Sequence, residues 1–286
     1  AGAINITTRR PSDEFEAYVD AGYRTEFDGY SLEGMVNVPI NDDIRARFVA
    51  RYYEDDGYLD NPIPGEPNGQ TREDTTFRAV IDWDVSADLT LSFKAEHGEY
   101  NVLGQNHMIS NATPTSTALY RAFGAPEFEA GFDYVRYNKN FTQAFMDQYD
   151  LPWNPELYDD TTSDLFQLTA DWQLGAHTLR SITAYTEYEF TQELDTDYSP
   201  LAFINRGRTE NFDQFSQEFI LSSPTGGTVE YMAGLFYQSE EITNNRHTLL
   251  GLSNLPPVQQ GIFNLLAGLT GPLPSGALDG DGLSDF

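Results

Sequence analysis

Along most of the chain, hydrophobic residues recur at every second position, the period of a strand with one apolar and one polar face. Phe15, Ala17, Val19, Ala21 and Tyr23 alternate with Glu16, Tyr18, Asp20 and Arg24. After a Glu26–Gly29 turn, Leu32, Gly34, Val36, Val38 and Ile40 alternate with Ser31, Glu33, Asn37 and Pro39. After Asn41–Asp43, Ile44, Ala46, Phe48, Ala50 and Tyr52 alternate with Arg45, Arg47, Arg51 and Tyr53. The rhythm returns in Phe77–Val85, Leu89–Ala95, Phe166–Leu174, Phe215–Leu221 and Val229–Tyr237, and in blurred form in Thr178–Tyr188. Ahead of all these, Ile4, Ile6 and Thr8 share one face of a short extended segment that Pro11 ends. The pattern predicts nine strands of about 11 residues, the length at which a tilted strand crosses a bilayer.

The connections sort by length. Asn41–Asp43, Ser86–Asp88, Gly175–His177 and Ser222–Thr228 are tight, and in an antiparallel meander all four fall at one end of the sheet. The other connections vary from a handful of residues to about 60, the longest running from Tyr100 to Ser163 without a sustained period. Short turns at one rim and long loops at the other mark an outer-membrane barrel, and a Greek-key sandwich has no reason to sort its loops this way. The polar face carries Arg45, Arg47, Arg51, Asp82, Asp84, Lys94 and Glu96, too many charges for the packed interior of a small barrel. The fold class predicted is all-β, an antiparallel up-and-down transmembrane β-barrel, here a partial barrel of about nine strands with long external loops.

Composition narrows the picture. No run of about 18 apolar residues exists to form a membrane helix, and a mean hydropathy of −0.47 is compatible with a barrel that shows lipid only alternate residues. A formal charge of −29 would repel a phosphate backbone, which argues against nucleic acid as a partner. Cysteine is absent, so no thiolate site or disulfide framework exists. The chain opens at Ala1 without an export signal and closes in a Gly/Pro/Asp-rich stretch, and is expected to be part of a longer protein. No Gly-x-Ser-x-Gly, phosphate loop or His-Glu-x-x-His occurs, so neither an enzyme nor a cofactor is expected. His97, His107, His177 and His247 stand at no metal-ligand spacing.

Several stretches carry a family resemblance. Gly2-Ala3-Ile4-Asn5-Ile6-Thr7-Thr8-Arg9-Arg10-Pro11 resembles the segment that closes the plug of TonB-dependent outer-membrane receptors. Ser12 to Arg51 looks like their first barrel strands, and Tyr53-Glu54-Asp55-Asp56-Gly57-Tyr58 like the end of the third. Phe215–Phe219 and Met232–Tyr237 resemble mid-barrel strands of the iron-complex (siderophore) receptor group. The resemblance implies residues 1–11 as the last plug strand, 12–240 as the N-terminal part of a barrel of about 22 strands, and 241–286 as the start of a long external loop. It further implies a receptor in the outer membrane of a Gram-negative cell, in contact with membrane lipid, that takes up a ferric-siderophore-like iron chelate. Uptake would be coupled to the TonB complex through a TonB box further upstream. The alternatives are a passive porin or adhesin barrel, or a secreted glycan-binding β-protein.

Candidate residues follow from these expectations. In the long segment His107, Tyr120, Arg121, Tyr134, Arg136, Tyr137 and Trp153 combine aromatic faces with cations, a mixture suited to an anionic chelate. Val258, Ile262, Phe263, Leu265, Leu266 and Leu269 have helical spacing, which predicts a short helix over Gln259–Leu269. Arg45, Arg47 and Arg51 are the residues expected to face a plug from the wet wall. Asp279, Asp281 and Asp285 resemble the opening of a calcium loop.

Overall fold

The structure, a computed structural model, describes residues 7–58, 70–104, 113–115, 117–118, 157–196, 204–250, 276–279 and 282–283. Nine long strands follow one another in chain order: β1 (Glu16–Arg24), β2 (Gly29–Pro39), β3 (Ile44–Asp55), β4 (Thr71–Ser86), β5 (Leu89–Leu103), β6 (Tyr158–Leu174), β7 (His177–Asp195), β8 (Ile204–Ser222) and β9 (Met232–Leu250). Two short strands, β10 (Gly276–Asp279) and β11 (Gly282–Leu283), complete a single sheet in the order β1 to β11, every neighbouring pair antiparallel. This is an open, up-and-down barrel wall, as the alternating pattern predicts.

The strands are longer than the pattern implies. Six of them, β4 to β9, have 15 to 19 residues against the expected 11 or so. β5 and β6 reach into the segment that lacks a period, and β9 starts three residues after Val229 but runs to Leu250, so residues expected to open an external loop are strand. The extra length lies at the long-loop rim, where the faces no longer sort into one apolar and one polar side as they do lower down. On the face that bears Leu179 and Tyr185 lower down, β7 carries Glu187, Glu189 and Thr191 higher up, and ladder partners Asp213 and Glu241 continue the change.

Register propagates one parity through all nine strands. A single ladder row reads Ala17, Val36, Phe48, Ala79, Ala95, Phe166, Tyr185 and Phe215. Phe15, Val19, Leu32, Phe48, Phe77, Trp83, Phe93, Phe166, Trp172, Phe215, Phe219 and Leu235 all stand on this face and are exposed. An apolar patch so extensive is untenable in water, and it suits the hydrocarbon of a bilayer. Every arginine and lysine of β1 to β9 falls on the opposite face. Met232, Phe236 and Ile242 of β9 are exposed on that wet face, as expected where the wall ends with little beside it.

The short rim is built by turn chemistry. Asn41 Oδ1 accepts from the backbone N–H of Asp43 (2.9 Å) and Ile44 (2.8 Å), closing the β2–β3 reversal. Gly175 takes φ +64°, the left-handed conformation that the two-residue β6–β7 loop requires. Within the complete protein, Phe215→Arg on the apolar face is expected to lower the stability of the membrane-inserted state by about 2–4 kcal/mol. Ser216→Arg, one residue along on the wet face, is expected to change it by less than about 1 kcal/mol; reversible urea unfolding from lipid vesicles compares the two.

Candidate functional site

The wet face holds two regions of chemical interest, one at each rim. At the short-turn rim, the chain entering β1 folds back along the wall instead of leaving it. Asn37 of β2 is fully buried and clamps this segment: its Oδ1 accepts from Ser12 N–H (3.0 Å), and its Nδ2 donates to the carbonyls of Ser12 (2.9 Å) and Glu14 (2.6 Å). A primary amide suits the task because it offers donor and acceptor at once to a backbone with no strand partner.

Charges complete the clamp. Arg10 forks onto Asp82 of β4, with Nε donating to Oδ2 at 3.0 Å and Nη2 3.0 Å from Oδ1. Asp82 is only 4 % exposed, so this guanidinium is what makes its burial tolerable. Arg45 of β3 bridges Asp13 (3.1 Å) in the entering segment and Asp84 (2.7 Å) of β4, and Thr90 Oγ1 donates to the same Asp84 (2.7 Å). Arg47 lies 3.5 Å from Glu16, which also pairs with Arg9 at 3.2 Å. Of the three arginines expected to face a plug, Arg45 and Arg47 therefore contact acids at the entrance to β1. Arg51 stands on the same face, in register with Glu33 and Thr76.

At the long-loop rim the wet face presents aromatic rings with guanidinium groups. Tyr53 of β3 lies between Arg24 and Arg72, whose Cζ atoms are 5.1 and 5.5 Å from its ring centre, and Arg24 donates to its hydroxyl at 2.9 Å. Four strands on, Tyr188 and Phe212 stack in register with centroids 5.1 Å apart, and Arg208 lies 4.6 Å over the Phe190 ring. Glu210 accepts from Tyr188 Oη at 2.6 Å and from Asn244. Asp55, Arg72, Val102, Asp159, Gln192, Arg208 and Arg246 belong to one ladder row, which links the two clusters across the wall. The sequence offered the arginines at period two but gave no sign that aromatic partners stand diagonally beside them on neighbouring strands.

His107, Tyr120, Arg121, Tyr134, Arg136, Tyr137 and Trp153 lie outside the described residues, as do Ile4, Ile6, Asp281, Asp285 and the segment 259–269. Asp279 belongs to β10, where the ladder sets it opposite Gly282 and His247. Among the described residues no group of three or more His, Cys, Asp and Glu side chains is placed to hold a metal ion.

No family model matches the chain. No curated protein matches it either. Solved structures do share its fold. It resembles the ferric yersiniabactin uptake receptor of Yersinia pestis with a TM-score of 0.64 at 14 % identity, over 85 % of this chain and 33 % of that one. It also resembles the ferripyoverdine receptor of the outer membrane of Pseudomonas aeruginosa, with a TM-score of 0.54 at 12 % identity over 84 % and 29 % of the two chains. The chain thus spans about a third of the length of these receptors and has the architecture of part of their barrel wall.

Replacing Asn37 by Ala strips partners from one amide and two carbonyls, and is expected to cost about 1–3 kcal/mol locally. Hydrogen exchange should then accelerate at residues 10–16 while the β2–β3 ladder keeps its protection; uniform acceleration across β2 and β3 would show that Asn37 supports the strands and not the entering segment.

Proposed function

We propose that this chain is part of an outer-membrane receptor that takes up a ferric-siderophore-like chelate with energy coupled through TonB. The observation that carries the reading is the fold it shares with two receptors whose ligands are ferric siderophores. The wet-face clusters fit that chemistry. An anionic chelate with aromatic or planar arms gains charge pairing from Arg24, Arg72, Arg208 and Arg246 and stacking from Tyr53, Tyr188 and Phe212, the cation–π component being about 0.5–2 kcal/mol per contact. These groups face the interior at the rim with long loops, where a ligand arriving from outside is met first.

The energy coupling rests on the entering segment. It is bound to the inside of the wall at the opposite rim by Asn37, Asp82 and Arg45, which suits a chain that continues upstream into a plug filling the lumen. A passive pore has no use for such an inward clamp. Strand edges in hydrocarbon leave backbone groups without partners at several kcal/mol each, so the membrane-spanning unit is proposed to close with further strands on either side of this wall.

The test uses the full-length protein in a host whose own siderophore receptors are deleted. Growth on a panel of ferric siderophores under iron limitation should identify a chelate whose use requires both this receptor and TonB. Arg72→Ala combined with Arg208→Ala is expected to weaken binding of that chelate at least about tenfold, equivalent to about 1.4 kcal/mol, in a fluorescence-quenching titration. Growth on no chelate, or growth unaffected by loss of TonB, would contradict the reading.

A further inference from the structure

Near the ends of β7 to β10 one ladder row of the face opposite the arginines reads Glu193, Gly207, His247 and Asp279. Glu193 and His247 are separated by a whole strand, yet they meet: Glu193 Oε1 is 2.7 Å from His247 Nε2. They do so because position 207 has no side chain, and a Cβ there would collide with both the imidazole and the carboxylate. Glu193 is 1 % exposed and its second oxygen, Oε2, is buried without a hydrogen-bond partner, whereas the His247 side chain is 40 % exposed and open to solvent. A buried carboxylate with half its acceptors idle is expensive unless something else occupies them.

A divalent cation held by both carboxylate oxygens of Glu193 and by His247 Nε2 would. Metal–ligand bonds of about 2.0–2.2 Å, at angles between octahedral and tetrahedral, put two donor atoms about 3.0–3.4 Å apart. The observed 2.7 Å therefore needs to open by only a few tenths of an ångström, and the imidazole is exposed enough to turn. The donor set selects the metal class: imidazole with carboxylate suits zinc-like ions, while calcium and magnesium prefer all-oxygen sites. Among the described side chains no third such residue joins the pair, so water would complete the coordination of a bound ion. The next position of the row, opposite His247, is Asp279.

We propose that Glu193 and His247, brought together over Gly207, form a binding site for a zinc-class divalent cation that ties β7 to β9 at the long-loop rim. The site lies on the face opposite the guanidinium–aromatic clusters and does not depend on the ligand assigned to them. A scan of histidine spacing along the chain cannot find it, because the two ligands lie on different strands and the residue that permits their meeting is a glycine on a third.

The full-length protein in detergent, stripped of metal with a chelator, is titrated with zinc by calorimetry and by competition with a chromophoric chelator. Saturable binding is expected, weakened at least tenfold by His247→Ala and by Glu193→Gln, with heat-modifiable gel mobility confirming that each variant remains a folded barrel. Should Glu193→Gln fail to fold, His247→Gln takes its place with the same expectation. Absence of saturable zinc binding, or binding of equal affinity in the wild type and the folded variants, overturns the proposal, including the case in which His247→Ala merely lowers stability as loss of an ion pair would.

Discussion

Everything in this structure depends on an uninterrupted backbone ladder that keeps one parity across nine strands. Side chains alternate with period two, so a slip of one residue between any pair of strands would exchange the two faces from there on. From β1 to β9 one irregularity appears, between Asp84 and Ser86 beside a tight turn. All other rows run straight through, and the chemistry follows them: most exposed aromatic and aliphatic side chains of β1 to β8 share one face, and arginines and lysines share the other. Turn geometry protects the register at the short rim, where Asn41 and Gly175 leave the chain little freedom to slide.

A wall with one dry and one wet face places different demands on its charged groups. On the wet face Asp82 and Arg47 are nearly buried, and both are matched by groups in or beside the entering segment. Neither side of that contact is comfortable alone. A buried aspartate without Arg10 costs several kcal/mol, and the segment 10–15, having no strand to pair with, depends on Asn37 for its backbone hydrogen bonds. Segment and wall thus stabilise one another, at the rim away from the long loops.

The sequence made the wall legible and left most of its details hidden, for identifiable reasons. Phe166 to Leu174 or Ile44 to Tyr52 can be read at sight because one face meets an apolar medium and the other water. Where β7 rises past Tyr185 the faces exchange character, with Glu187, Glu189 and Thr191 on the apolar side and Tyr188 and Phe190 on the wet side, and the strand expected to end near Tyr188 continues in the ladder to Asp195. Arg45 and Arg47 were visible as wet-face cations, but Asp13 precedes the regular pattern, the pairing of Arg47 with Glu16 depends on register across β2, and Asn37 resembles any polar strand residue. The pairing of Tyr53 with Arg24 and Arg72 depends on the register of three strands, which no single strand encodes.

The central claim, that one face of this wall meets lipid and the other water, is tested most directly by residue-by-residue accessibility. The sequence has no cysteine, so spin labels can be attached one at a time along 213–221 of β8 in the full-length protein reconstituted in bilayers. Collision rates with oxygen, which concentrates in hydrocarbon, and with a water-soluble nickel chelate should oscillate out of phase with a period of two residues. Oxygen should dominate at 215, 217, 219 and 221, and the nickel chelate at 214, 216, 218 and 220. Equal accessibility to the water-soluble reagent on both faces would show that the apolar face is covered by protein or water, and the account of a membrane-spanning wall would be wrong.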